Sequence, residues 1–189
     1  EARYSEAIAR GTEWVAGLQR LNGGWGAFDD DNLDLHLNNI PFADHGALLD
    51  PPTADVSARC VSMLAQLGET PANPAMRAGL DYLEREQMAD GSWFGRWGVN
   101  YIYGTWSVLC ALNAAGLDGT TPMVRKAADW LIAIQNEDGG WGEDCTSYKL
   151  DYRGYDPAAS TASQTAWALL GLMAAGEVDP PAVARGIAY

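Results

Sequence analysis

One pattern constrains this chain more than any other in its 189 residues: a Gln followed four places on by Gly and six places on by Trp. It occurs as Gln19, Gly23, Trp25, as Gln87, Gly91, Trp93 and as Gln135, Gly139, Trp141. Before each Gln stands an aromatic–aliphatic pair, Trp14-Val15, Tyr82-Leu83 and Trp130-Leu131. Further upstream Arg10-Gly11 and Lys126-Ala127 correspond, with Ala78-Gly79 departing at the basic position. A fourth copy opens at Arg185-Gly186 with Tyr189 in the aromatic place. Residues four and five places before the Gln share one helical face, so each copy reads as a helix with an apolar stripe. Asn22-Gly23-Gly24, Asp90-Gly91 and Asp138-Gly139-Gly140 supply the left-handed residue that ends it, and the Trp is expected to fold back over that end.

A second kind of segment follows each first: Asp55 to Gly68, Gly104 to Gly116 and Ser163 to Gly176. Each opens on a small residue or a capping one and closes on Gly. Their interiors, such as Val56-Ser57-Ala58-Arg59-Cys60-Val61 and Ala166-Trp167-Ala168-Leu169-Leu170, are apolar almost all round, which places them inside. Helix pairs recurring along a chain make an α/α array, either an open solenoid or a closed toroid. The Gln positions lie 68 and 48 residues apart, longer than the roughly 34-residue pair of common solenoids. The excess sits in three loops, Gly26 to Ala54, Phe94 to Tyr103 and Gly142 to Ala162, and long loops on one face of a helical scaffold are where sites are built.

Charge narrows the function classes. Twelve Lys and Arg against 25 Asp and Glu give a formal net charge of −13, so the chain has no basic stripe with which to displace counterions from nucleic acid, and acidic substrates are disfavoured as well. Three Cys (Cys60, Cys110, Cys145) without a C-x-x-C spacing argue against a disulfide framework or a zinc ribbon and fit a reducing cytoplasm. No secretory signal is expected, and the longest apolar run, Ala166 to Ala175, is about half of the ~20 residues a spanning helix requires. A start at Glu1 and an end at Tyr189 inside a helical pattern lead us to expect a segment of a longer protein.

The Gln-to-Trp repeat resembles the hallmark of the squalene-hopene cyclases and the wider triterpene cyclases. The runs Asp50-Pro51-Pro52-Thr53-Ala54-Asp55-Val56, Gly91 to Tyr101, Gly139 to Cys145 and Ser163 to Leu169 are similar to bacterial squalene-hopene cyclase sequence, so the resemblance spans essentially the whole chain. It implies an all-α fold, an α/α toroid of the α/α6-barrel type. Residues 1–189 would form a single partial barrel domain of three full repeats and the start of a fourth. It also implies an enzyme that folds squalene in a central cavity, protonates a terminal alkene and carries a cation cascade to hopene or hopanol. Such chemistry needs a strong, dry acid and aromatic faces that stabilise carbocations without offering a nucleophile. No metal or organic cofactor is implied. The implied partners are squalene, the rest of the cyclase chain, a second copy in a homodimer and the cytoplasmic face of a membrane, to which the enzyme binds peripherally.

The family's acid lies in an Asp-x-Asp-Asp motif, which this chain lacks. Asp29-Asp30-Asp31-Asn32 fails at its last place and reads as a solvated acidic loop. The acid is therefore expected upstream, and the isolated chain is expected to be inactive. By resemblance, Asp55 and Arg59 belong to the acid pocket. Arg59 stands where some members carry His, and since a guanidinium cannot pass a proton, its expected role is to orient the acid. By spacing alone, Asp55 and Arg59 are also in register for an i,i+4 ion pair. Phe28, Phe42, Trp97 and Tyr103 are similar to cavity-wall aromatics, whereas His45 stands where some members carry Phe. The repeat Trp and Gln residues are expected to be scaffolding that ties one helix end to the next repeat.

Two rival readings remain at this stage. Protein prenyltransferase β subunits share the toroid but bind zinc through Asp, Cys and His. Here Asp144 and Cys145 are adjacent, and His36 and His45 share one early loop, which does not offer three or four converging ligands. The other rival is a non-catalytic scaffold fragment, whose uncovered inner helices would make it self-associate or leave it marginally stable.

Overall fold

The computed structural model describes residues 2–28, 36–37, 40, 49–148, 154–177 and 181–189. Among the described residues seven α-helices alternate with loops: α1 (Ser5–Gly17), α2 (Ala54–Gln66), α3 (Pro74–Arg85), α4 (Tyr101–Ala114), α5 (Pro122–Ala133), α6 (Ala162–Ala174) and α7 (Pro181–Ala188). Among the described residues there is no strand, only one antiparallel bridge between Glu143 and Pro157. Pro74, Pro122 and Pro181 open α3, α5 and α7, where a missing N–H costs nothing and the fixed φ suits the first turn. Asn73 caps α3, its Oδ1 accepting from the N–H groups of Ala75 and Met76. Gly68, Gly116 and Gly176, with φ between 84° and 90°, close α2, α4 and α6.

The apolar helices α2, α4 and α6 lie side by side with α4 in the middle, and α3, α5 and α7 pack against α2, α4 and α6 respectively. Ten residues of α4 are buried, because a central helix covered on several sides has no face to give to water. Cys60, Cys110 and Cys145 are all free thiols, and burial pushes the Cys60 thiol up to about 12.

The recurring residues build the same joint three times. Gln19, Gln87 and Gln135 each donate through Nε2 to the carbonyl of the Gly four places on, at 2.8, 3.0 and 2.7 Å. The same nitrogen donates to a carbonyl in the first turn of the next outer helix: Ala75, Met123 and Ala182, at 2.8, 3.0 and 2.8 Å. The indole N–H of Trp25, Trp93 and Trp141 donates back to Val15, Leu83 and Leu131. The backbone N–H of each Trp donates to a hydroxyl on the following inner helix, Ser57, Thr105 or Thr165. Gly91 shows why the turn position is Gly: at φ 106° a Cβ there would stand 2.6 Å from the Lys126 carbonyl oxygen. The expected fold-back of the Trp over its helix end is thus present in all three copies.

Asp138 adds a titratable tie to the third joint, its Oδ1 accepting from Gly140 N (3.0 Å) and Ser160 Oγ (2.7 Å). The Ser160 hydroxyl and then the Gly140 N–H hold this carboxyl below its ordinary value of 3.8. A folded-state value below the unfolded one adds stability above pH 3.8 that is lost as the pH falls through the lowered value. Melting curves of the parent and Asp138→Asn are therefore expected to differ at neutral pH and converge in acid; parallel profiles down to pH 2 would contradict this.

Three expectations need correction. The outer helices α1, α3 and α5 end at Gly17, Arg85 and Ala133, and Gly23, Gly91 and Gly139, with positive φ, close a separate turn further on, each N–H donating to the carbonyl three residues back. The segment from Phe94 to Tyr103 is not all loop, because α4 begins at Tyr101. The aromatic–aliphatic pair is not buried in every copy either: Tyr82 and Trp130 are 2% and 7% exposed, whereas Trp14 is 65% exposed and α1 buries no residue. Exposed apolar side chains gather at the two ends of the array, Tyr4, Ile8 and Trp14 on one side and Leu170, Met173, Ile187 and Tyr189 on the other. The 189-residue chain is therefore expected to self-associate at micromolar concentration. Sedimentation velocity showing a monodisperse monomer would refute this.

Candidate functional site

The site is assembled where the loops preceding α2 and α4 meet. Pro51 and Pro52 keep the chain extended into Thr53, which caps α2 at φ −131°, ψ 157°. This places Asp50 and Asp55 on either side of the corner, 3% and 1% exposed. Asp55 does not pair with Arg59, despite the i,i+4 register. Its Oδ1 accepts from Thr53 Oγ1 at 2.6 Å, and its Oδ2 accepts from the backbone N–H of Arg96 (3.1 Å) and Trp97 (2.9 Å). Three donors, one from Thr53 at the helix start and two from the 96–97 loop, outcompete a flexible guanidinium one turn away, so both oxygens serve as acceptors and the carboxylate clamps that loop.

Arg59 turns the other way. Its Nη2 donates to Tyr103 Oη at 2.8 Å, and its guanidinium lies 5.8 Å from the ring centres of both Tyr103 and Trp106. Because Tyr103 accepts from Arg59, its own O–H proton remains available to a third group. The Tyr103 ring continues into Trp167 at 5.1 Å, and Trp167 stacks on Trp106 at 5.9 Å with 12° between planes. The loop closes tightly on this ring, since a Cβ on Gly98 would come within 2.5 Å of Tyr103 Cγ.

Phe28 and Trp97 meet edge to face, 5.5 Å apart at 88°. Together with Ala27, Asp55, Val56, Arg59 and Tyr103 they line a concavity of about 280 Å³. Five of the six residues named from the sequence thus converge on one surface. Phe42, the sixth, lies outside the described residues, as do His45 and the run Asp29 to Asp31.

Two buried carboxylates that support this surface escaped the sequence reading. Asp50 and Arg96 form an ion pair with Oδ1 2.6 Å from Nε, their side chains 4% and 3% exposed. Asp50 Oδ2 also accepts from the N–H of Ala27, next to Phe28. Burial pushes the Asp50 carboxyl up, while the Ala27 N–H and Arg96 oppose the shift. Glu143 reaches across from the loop before α6 and accepts from Asn100 N (2.9 Å), Tyr101 N (3.0 Å) and Ile102 N (3.0 Å). These are N–H groups that a helix start leaves unpaired, so Glu143 is the reason α4 begins early and Tyr103 lies in its first turn. No local signal announces this cap, because its donors stand 41 to 43 residues away.

Chemically, the surface offers π faces, a fixed cation and a phenol. Among the described residues no group of three or more His, Cys, Asp or Glu could hold a metal ion. Asp144, from the zinc alternative, instead accepts from Thr146 N, beside an exposed Cys145.

Residues 1–189 match the profile of the squalene-hopene cyclase C-terminal domain. The chain is 69% identical over 187 residues to a probable squalene-hopene cyclase of Sinorhizobium fredii, covering 98% of the chain and 29% of that protein. It is 68% identical over 187 residues to a squalene-hopene cyclase of Bradyrhizobium diazoefficiens (98% and 28%). It is 48% identical over 194 residues to that of Alicyclobacillus acidocaldarius (100% and 30%). Among solved structures, ent-copalyl diphosphate synthase from Streptomyces platensis superposes with a TM-score of 0.62 at 22% identity, covering 92% of this chain and 29% of that one. That likeness, with the profile, establishes the α/α toroid fold. The chain spans less than a third of the length of these relatives.

Proposed function

This chain belongs to the squalene-hopene cyclase family, and from that premise we propose that it is one wall of the cavity in which a longer cyclase folds squalene to a polycyclic triterpene. The observation that carries the reading is the convergence of Phe28, Asp55, Arg59, Trp97 and Tyr103 on one concavity. In this reading Phe28 and Trp97 present π faces to the early cations, stabilising charge without a lone pair that could trap it. Arg59 fixes the Tyr103 phenol, whose free proton hydrogen-bonds the initiating carboxylic acid supplied by another part of the chain. Asp55 holds the loop that carries Trp97. Protonation of the alkene and loss of a proton at the end balance, so the reaction is an isomerisation needing no metal or organic cofactor. The whole enzyme would act as a homodimer on the cytoplasmic surface of a membrane. Among the described residues no helix is long and apolar enough to cross one, and a peripheral attachment is compatible with that.

The test is gas chromatography with mass spectrometry of squalene incubated with the 189-residue chain and, in parallel, with the whole protein that contains it. Polycycle from the whole protein alone is the expected result. Polycycle from the 189 residues would place the acid among them and overturn the division of labour. Absence of product from both would overturn the cyclase reading.

A further inference from the structure

We propose that Arg96, through its buried pair with Asp50, is a positioning residue that sets the angle of the Phe28–Trp97 aromatic pair and thereby how far cyclisation proceeds before a cation escapes. The inference rests on the cyclase reading above and goes beyond it by assigning a function to a pair that lies behind the concavity and holds its lining without belonging to it.

The two aromatic residues come from segments nearly 70 positions apart, and neither is held by burial, Phe28 being 69% and Trp97 40% exposed. Edge-to-face contact alone is worth about 1 kcal/mol, too little to fix two exposed rings. What fixes them is the network behind. Asp50 accepts from Ala27 N, one residue before Phe28, and pairs with Arg96, one residue before Trp97. Asp55 then takes the N–H of both Arg96 and Trp97. One carboxylate–guanidinium pair thus ties the backbone beside Phe28 to the loop beneath Trp97. The Arg96 guanidinium also lies 5.9 Å from the Trp97 ring centre. Unpaired, its charge would both weaken that ring's hold on a substrate cation and repel the cation directly, so Asp50 neutralises as well as anchors.

A buried pair of this kind is a poor stabiliser but a strong constraint on geometry, since removing either partner strands a charge. A displacement near 1 Å at a reacting centre lowers rate by as much as about 100-fold. The experiment compares Arg96→Met, Arg96→Lys and Asp50→Glu in the whole enzyme, reading both turnover of squalene and the ratio of incompletely to fully cyclised product. Thermal melting identifies which variants are folded. Expected is a fall in kcat of between ten- and 100-fold in Arg96→Met with little change in KM, a product ratio shifted toward partial rings, and recovery of the ratio toward the parent value in Arg96→Lys. An unchanged ratio in folded variants, however low the total, would mean that the pair is only structural and would overturn the inference. Should Arg96→Met fail to fold, Asp50→Glu, which keeps the charge and moves the carboxylate by one methylene, decides by the same ratio. An unaltered enzyme that yields no cyclised product would remove the cyclase reading and this inference together.

Discussion

Replacing Trp93 by Ala is expected to destabilise the chain by about 3–5 kcal/mol, the range seen for removing a large aromatic side chain from a packed core. Trp93 is 0% exposed and is the middle one of three indoles that close the joints between repeats. Its loss opens a cavity under α3 and α4 and leaves the Leu83 carbonyl without its indole donor. Trp14→Ala is expected to change stability by less than about 0.5 kcal/mol, because its side chain is mostly in water. Urea titration of both variants, at a concentration where sedimentation gives a single species, supplies the comparison. Equal losses would mean that burial in this array does not rank its Trp residues.

Glu143→Ala is expected to cost about 3 kcal/mol or more, since three N–H groups at the start of α4 lose their acceptor while remaining buried. Glu143→Gln keeps one oxygen but turns an N–H₂ toward donors, and is expected to cost about 1–2 kcal/mol. The damage should also be local in a readable way. If the first turn of α4 frays, Tyr103 leaves Arg59, and amide hydrogen exchange at Tyr101, Ile102 and Tyr103 rises before that of the α4 centre. Exchange rising uniformly along α4 would show that Glu143 contributes general packing rather than a cap.

The sequence disclosed what repeats and hid what is reached across the fold. The alternation of helix kinds, the Gly ends of the inner helices, and the Gln and Trp roles were legible because each is a fixed offset repeated three times within a short span. So were most of the wall residues, though by family likeness: spacing alone does not bring Phe28 to Trp97. The failures are of one physical kind. Asp55 and Arg59 sit in ion-pair register, but register does not reveal that Thr53 and the 96–97 loop offer Asp55 three better donors. The early start of α4 depends on a carboxylate from a distant loop, and the Asp50–Arg96 pair joins residues separated by 46 positions that resemble an ordinary solvated acid and base when read along the chain. Local propensity carries information over about a turn, whereas buried charges are satisfied by whichever loop the fold delivers.

The Gln joint has a further consequence. Because each Gln binds its own turn and only the next outer helix, strain and order pass from neighbour to neighbour, as along a row of clasped links. Breaking the middle clasp with Gln87→Ala should therefore split one melting transition into two, with α1 and α2 parting company from α5 to α7, while the same change at Gln19 merely frays an end.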